Sequence, residues 1–444
     1  MMPAPVLSET AGVLCLVLIL LVPLAGAGLA LINTGLGRSR SAAQLMMSSL
    51  CVLGVAALVY FVCGFALQGF PGRAAHVLTI GGKGWSWIAA EPFFLRRLPL
   101  DGSPASLAAL LGLVSVGLAA LIPLGSGADR WRLSAACVST ALFAGWTYPL
   151  FAHWVWGGGW LAQLGANYGL GRGFVDAGGA STIQVTGGLT ALSIAWIVGP
   201  RHGKYTSDGM PSAIPGHNSV FVMFGCMLAL VGWWGLNCAG AILFNGLQAG
   251  QSVLVATNTI LSAATSAIMA AVITHTRFGK PDASLTANGW IGGLAASSAF
   301  CAFVKPAAAV AIGIVAGALV TFSVEWFELR MSVDDPGGSI SAHAMGGLWG
   351  ILAVGLFADV PPRALDSTGV AAGGNSGQWL AQLVGIATLI GFVLPLTYGV
   401  NRVLNRFVPQ RVAREGERQG MDLYELGAGA YPEFVTHSDE FSQR

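Results

Sequence analysis

The chain has 444 residues, 54% of them hydrophobic and only 9% charged, with a formal net charge of +2. Ordinary globular proteins carry about 25% charged residues, so a soluble fold of this size is excluded for want of surface charge. What remains is a polytopic membrane protein, whose orientation depends on where the charges sit rather than on their sum.

The first apolar run, residues 11–34, has no basic segment ahead of it, only Glu9. It is also longer than the apolar part of a secretory leader, about 7–15 residues. We read it as a retained first span, with a cleaved leader as the alternative. Further runs long enough to cross a bilayer, about 20 residues, follow at 43–68, 105–125, 133–154, 178–199, 217–243, 251–275, 284–303, 306–328, 339–357 and 377–405. The loop at 70–104, which contains Pro92-Phe93-Phe94-Leu95, is expected to hold a short surface helix. After residue 408 the chain turns polar, and 409–444 is expected to be a cytosolic tail.

The fold class is therefore all-α and polytopic, with eleven transmembrane helices over residues 1–408. Alternate loops gather fifteen of the 22 basic residues, from Arg38 to Arg444, on one face and seven, from Arg73 to Arg363, on the other. The richer face is cytosolic by the positive-inside rule, which puts the N-terminus outside and the C-terminus inside. Two halves, about 11–199 and 217–357, each hold five spans, an odd number, so corresponding helices cross in opposite senses and the repeat is inverted. The helix at 377–405 is an addition.

Two short stretches repeat. Residues 176–189 read D-A-G-G-A-S-T-I-Q-V-T-G-G-L, and 335–348 read D-P-G-G-S-I-S-A-H-A-M-G-G-L. Asp, both glycine pairs and the closing Leu match at a constant offset. Matching glycine-interrupted motifs in two halves point to a site at their interface, so Gln184 and His343 are expected to face each other across a central pathway. On a straight helix Gln184 shares a face with Gly187 and Gly188, and His343 with Gly346 and Gly347; small residues there let helices approach. Asp176 and Asp335 stand where a helix begins, and Asp335-Pro336 reads as an N-cap followed by a first helical residue. Simple capping accounts for both Asp residues. A satisfied buried histidine is the plain alternative for His343, but ionisable residues inside a membrane usually line a pathway. The seven cysteines fall in or beside apolar runs without CxxC pairing and read as small hydrophobes.

Several ordered motifs give the chain a family resemblance. They include His153-Trp154-Val155-Trp156-Gly157-Gly158-Gly159, Phe174-Val175-Asp176, Gly199-Pro200-Arg201, Gly232-Trp233-Trp234-Gly235-Leu236-Asn237, Val333-Asp334-Asp335-Pro336 with His343, and a tail running from Gly420-Met421-Asp422 through Ala430-Tyr431-Pro432. Together they resemble the ammonium transporters, the group that includes methylammonium permeases and Rhesus proteins. The resemblance implies a homotrimer with one narrow pore per protomer, lined by two histidines in contact. It also implies a tail touching neighbouring protomers and, in many bacterial members, a PII-type signalling protein at the cytosolic face. Trp156 matches a vestibule Trp whose indole face holds a cation, an attraction of about 0.5–2 kcal/mol; an interfacial belt Trp is the alternative. Asp176 matches a vestibule-supporting Asp and His343 the second pore histidine.

The departures are informative. Gln184 stands in place of the first pore histidine, and glutamine cannot titrate. Leu236 replaces a gate Phe, Gly240 a recognition Ser, and Leu111–Ser115 lacks the other gate Phe. Leu426 stands where a His is usual, and Gly338 where an acidic residue is common. Transport of ammonium or ammonia is the expected function. The alternatives are an ammonium sensor with little conduction, or a pore retuned to another small amine or uncharged solute. Nothing in the chain points to an enzyme, a cofactor, a metal site or nucleic-acid binding.

Overall fold

The computed structural model describes residues 7–360 and 377–431, so Arg363, Pro432 and Arg444 lie outside the described residues. Among the described residues, ten helices are long and apolar enough to cross a membrane. They are α1 Glu9–Leu36, α2 Ser39–Gln68, α3 Pro104–Gly127, α4 Leu133–Val155, α5 Ala180–Val198, α6 Ser219–Asn245, α7 Ala249–Phe278, α9 Pro306–Met331, α10 Ile340–Phe357 and α11 Gln378–Phe407. Between α7 and α9 lies α8, Ala283–Phe300, which covers the expected run at 284–303 but is less apolar. Its physical reason is burial: Asn288, Ser297, Ser298 and three glycines are packed inside protein, where lipid solubility is not required.

Two expectations for the loop at 70–104 are corrected. A β-hairpin forms there, β1 Ala75–Ile80 antiparallel to β2 Lys83–Ala89, so the fold is helical but not wholly so. Gly81 and Gly82 both hold positive φ, 58° and 75°, as the tight turn that matches strand twist requires. The anticipated surface helix shrinks to the turn Phe93–Leu95, broken by Phe94 at φ 62°. The hairpin roofs the end of α4: Trp154 donates to the Trp87 carbonyl at 2.8 Å, and Ser86 Oγ lies 3.0 Å from His153 Nε2.

The opposite end carries the tail. Arg132 donates to the Gln410 carbonyl at 3.0 Å, Arg40 to the Arg418 carbonyl at 2.8 Å, and Arg411 to Glu417 at 2.7 Å. The links after α1, α3, α5 and α11 are thereby tied together at one end of the bundle. All seven cysteines are free.

Candidate functional site

Each motif begins with a carboxylate set against a helix N-terminus. Asp176 Oδ1 accepts from the Gly179 and Ala180 N–H groups, both at 2.8 Å. Its Oδ2 accepts from the Ser181 N–H at 2.8 Å, the Ser181 hydroxyl at 2.5 Å and the Thr182 N–H at 3.3 Å. These are the N–H groups that a helix start leaves without partners, and the carboxylate also meets the positive end of the helix dipole. In the second copy Asp335 accepts from the Ile340 N–H at 2.8 Å and from the Ser126 hydroxyl at 2.6 Å. Asp335 thus caps from a distance. Pro336 lies in a turn rather than at the first helical position, because the chain makes that turn before α10 begins at Ile340.

The first turn of both helices is π-helical, Ala180–Val185 in α5 and Ile340–Met345 in α10. A π turn takes one more residue per hydrogen-bonded ring than an α turn, and such turns recur at functional sites. It alters the facing expected for the glycines. A Cβ on Gly188 would lie 2.5 Å from Ala344 N, and one on Gly347 would lie 2.7 Å from Val185 Cγ2. Those two glycines face the other motif helix. Gly187 and Gly346 face outward instead: a Cβ there would lie 2.7 Å from the Ala119 carbonyl of α3, or 2.8 Å from the Gly292 carbonyl of α8. Each contact in one half has its counterpart in the other.

That crossing brings Gln184 and His343 together. Both are buried, at 0% and 3% exposure, and His343 Nδ1 lies 2.7 Å from Gln184 Oε1. An amide oxygen only accepts, so Nδ1 carries the proton and Nε2 is left as an acceptor. Gln184 Nε2 is buried with no partner among the described residues. Side by side, then, stand an unused N–H donor and an unused nitrogen acceptor. The Trp233 ring lies 6.5 Å from that of His343 at 32°, and its Nε1 donates to Ser298 at 3.2 Å.

Above this pair, towards the hairpin, sits Trp156. It is 2% exposed, which overturns the belt alternative: no side of it faces lipid. Its Nε1 donates to the Asp176 carbonyl at 3.1 Å. Its ring stacks on Phe244 at 4.5 Å and 8°. Phe244 carries no motif of its own in the sequence, although it lies one helical turn beyond Gly240 and two beyond Leu236 on one face of α6. Leu236 is fully buried. A Cβ on Gly240 would lie 2.5 Å from the Ala177 carbonyl, so this position packs backbone against backbone and has no room for a hydroxymethyl group. Near the other gate position a Cβ on Gly112 would overlap the Tyr60 hydroxyl, which donates to Gln68 at 2.8 Å.

At the far end of the pair lies a buried charged seam. Arg201 donates to Asp334 through Nε at 2.9 Å and Nη2 at 3.0 Å, and to Asp129 through Nη1 at 3.1 Å. Arg130, fully buried, donates to the Gly199, Ala128 and Asp334 carbonyls. Burial pushes the Asp334 carboxyl up, but the Arg130 and Arg201 guanidiniums outweigh it and hold it down at about 2. The seam joins the end of α5 to the segment that starts α10. Among the described residues no three His, Cys, Asp or Glu side chains gather as a metal site would need.

Comparison with known proteins gives a consistent result. A family model described as the Ammonium Transporter Family matches residues 13–431. The ammonium transporter Amt2 of Archaeoglobus fulgidus is 36% identical, over 93% of this chain and 86% of its own. An ammonium transporter of Bacillus subtilis is 31% identical, over 93% of this chain and 96% of its own. A solved structure named Sensor Amt Protein superposes with a TM-score of 0.81 at 26% identity, covering 94% of this chain and 98% of its own.

Proposed function

This chain belongs to the ammonium transporter family, and on that premise we propose that it moves ammonium or ammonia across a cell membrane through a narrow apolar pore in each protomer. The observation that carries this reading is the buried contact of Gln184 with His343 through Nδ1, which leaves the Gln184 Nε2 donor without a partner among the described residues and His343 Nε2 free to accept. Ammonia has one lone pair and three N–H groups, so it matches that pair: the Gln184 amide donates to it and His343 Nε2 accepts from it.

Charge explains the rest. An ion entering such a pore without compensation loses its hydration at a large cost, so sodium and potassium are rejected; ammonium gives its proton to water on the outer side before entry, and ammonia takes one from water on the inner side. Trp156 is the entry station, where the indole face attracts the cation, and Phe244 must leave that face for it to bind. Asp176 supports the station through its carbonyl and its capped helix; Leu236 lines the approach, whereas Gly240, packed against the Ala177 carbonyl, does not. Because glutamine does not titrate, a proton relay through two imidazoles is absent, and transport through this pore is of the neutral molecule.

In this account α8 is an eleventh span, and the two halves, about 11–199 and 217–357, form the inverted repeat. The paired glycine contacts support that symmetry. Residues 1–408 are the transmembrane domain and 409–444 the tail. The tail end is cytosolic, supported by the basic links gathered there. A homotrimer in the plasma or inner membrane, with a PII-type partner at the cytosolic face, completes the assignment. A sensor with little conduction is the second reading, favoured by the similarity to the Sensor Amt Protein.

Complementation tests the choice. Expression in a strain lacking ammonium uptake should restore growth on low ammonium and confer methylamine sensitivity. Membrane-inserted protein that does neither leaves the sensor reading standing and removes the transporter.

A further inference from the structure

The tail end of the bundle holds a cavity of about 350 Å³ lined by Arg38, Arg40, His202, Glu417 and Arg418. Three stretches meet there: the link between α1 and α2, the segment after α5, and the short tail helix Arg414–Gln419. Beneath the cavity, and at Glu417 in its wall, the charges are already matched. Arg130 and Arg201 hold Asp334, Arg201 also reaches Asp129, and Arg411 holds Glu417. Three guanidiniums thus occupy three carboxylates. The rim is not matched. Arg38 approaches only the shared Asp129, at 3.9 Å, and Arg40 gives one N–H to the Arg418 carbonyl at 2.8 Å. The Arg418 guanidinium has no ionic partner among the described residues. A concave surface with surplus guanidinium forks fits the paired oxygens of a phosphoryl group.

We infer that this cavity binds a phosphoryl-bearing anion between Arg38, Arg40 and Arg418. Its source is a soluble phosphate ester or an anionic lipid head group. Because Arg418 belongs to the tail and Arg38 and Arg40 to the helical body, an occupied site fastens one to the other. It adds to a clasp already present: Asp422 accepts from the Ala43 and Gln44 N–H groups at 3.2 and 2.8 Å, and Glu425 accepts from the Leu133 N–H at 3.1 Å. Anion binding therefore holds the tail docked.

The test uses full-length protein in nanodiscs of zwitterionic lipid. One arm is titrated with inorganic phosphate and with a nucleoside monophosphate; another is reconstituted with anionic phospholipid; chloride at matched ionic strength is the control. Calorimetry and protease cleavage of the tail are the readouts. Saturable binding with slower tail cleavage is expected in one of the two arms. The Arg40→Gln/Arg418→Gln protein should bind at least about tenfold more weakly, since two charge-assisted contacts are lost. Removing the same charge at the end of α11, as Arg402→Gln/Arg406→Gln, should leave binding unchanged. Response in the titrated arm assigns a soluble ester; response only with anionic lipid assigns a head group. The inference is overturned if chloride acts equally, if both double variants weaken binding alike, or if neither arm responds.

Discussion

In the His343→Ala protein, ammonia uptake into proteoliposomes should fall by about ten- to a hundredfold, because truncation leaves a buried amide wholly unsatisfied at roughly 1–3 kcal/mol per group. Gln184 Oε1 loses its one partner, at 2.7 Å, and Gln184 Nε2 has none to begin with. The acceptor for the N–H groups of ammonia disappears in the same step. The ring of Trp233 loses a neighbour 6.5 Å away, and the freed volume lies on the proposed pathway. The loss should appear in the rate, with the helices still assembled, since the close approach of α5 and α10 at Gly188 and Gly347 is untouched by the change. Uptake kinetics and pH dependence identical to wild type would mean that the conduction path lies elsewhere.

The second large effect concerns stability. Asp334→Asn removes a carboxylate, 1% exposed, from between Arg201 and Arg130, with side chains 3% and 0% exposed. Removing one partner of a buried ion pair strands the other charge and costs about 3–5 kcal/mol. The thermal midpoint in detergent should fall sharply, and with it the join between α5 and the start of α10. The acid limb follows from linkage. The folded carboxyl is held at about 2, below its value of about 3.9 in the unfolded chain. Its stabilisation is therefore complete above the unfolded value and is lost as pH falls through the folded one. Wild type and Asp334→Asn should differ most near neutral pH and converge as pH approaches 2. A constant difference across that range would remove Asp334 from the seam.

How much of this could be read from residues alone depends on the length scale. The helices were legible because bilayer thickness demands long apolar runs: the ten apolar enough to span, and the less apolar α8, begin and end within a few residues of the expected limits. The meeting of Gln184 with His343 was legible from the repeated Asp and glycine pattern. The π turns at Ala180–Val185 and Ile340–Met345 were not. A π turn differs from an α turn by a single hydrogen-bond register and has no composition of its own, so the facing of Gly187 and Gly346 came out wrong. The hairpin had a signal, Gly81-Gly82 between strand-forming residues, obscured by the expectation of a helical loop. Phe244 lay at helical spacing from Leu236 and Gly240, but its partner, Trp156, is 88 positions away in the chain. Asp129 with Arg130, Arg201, and Asp334 come from three separate links, and only packing joins them.

A glutamine–histidine pair that cannot relay a proton should pass ammonia and leave the proton behind. Flux and charge should therefore be measured together on the same proteoliposomes, with internal pH reporting uptake and a solid-supported membrane reporting current. The account predicts saturable alkalinisation on an ammonium pulse, with no current above that of empty liposomes. A robust ammonium current through the wild-type protein would contradict it.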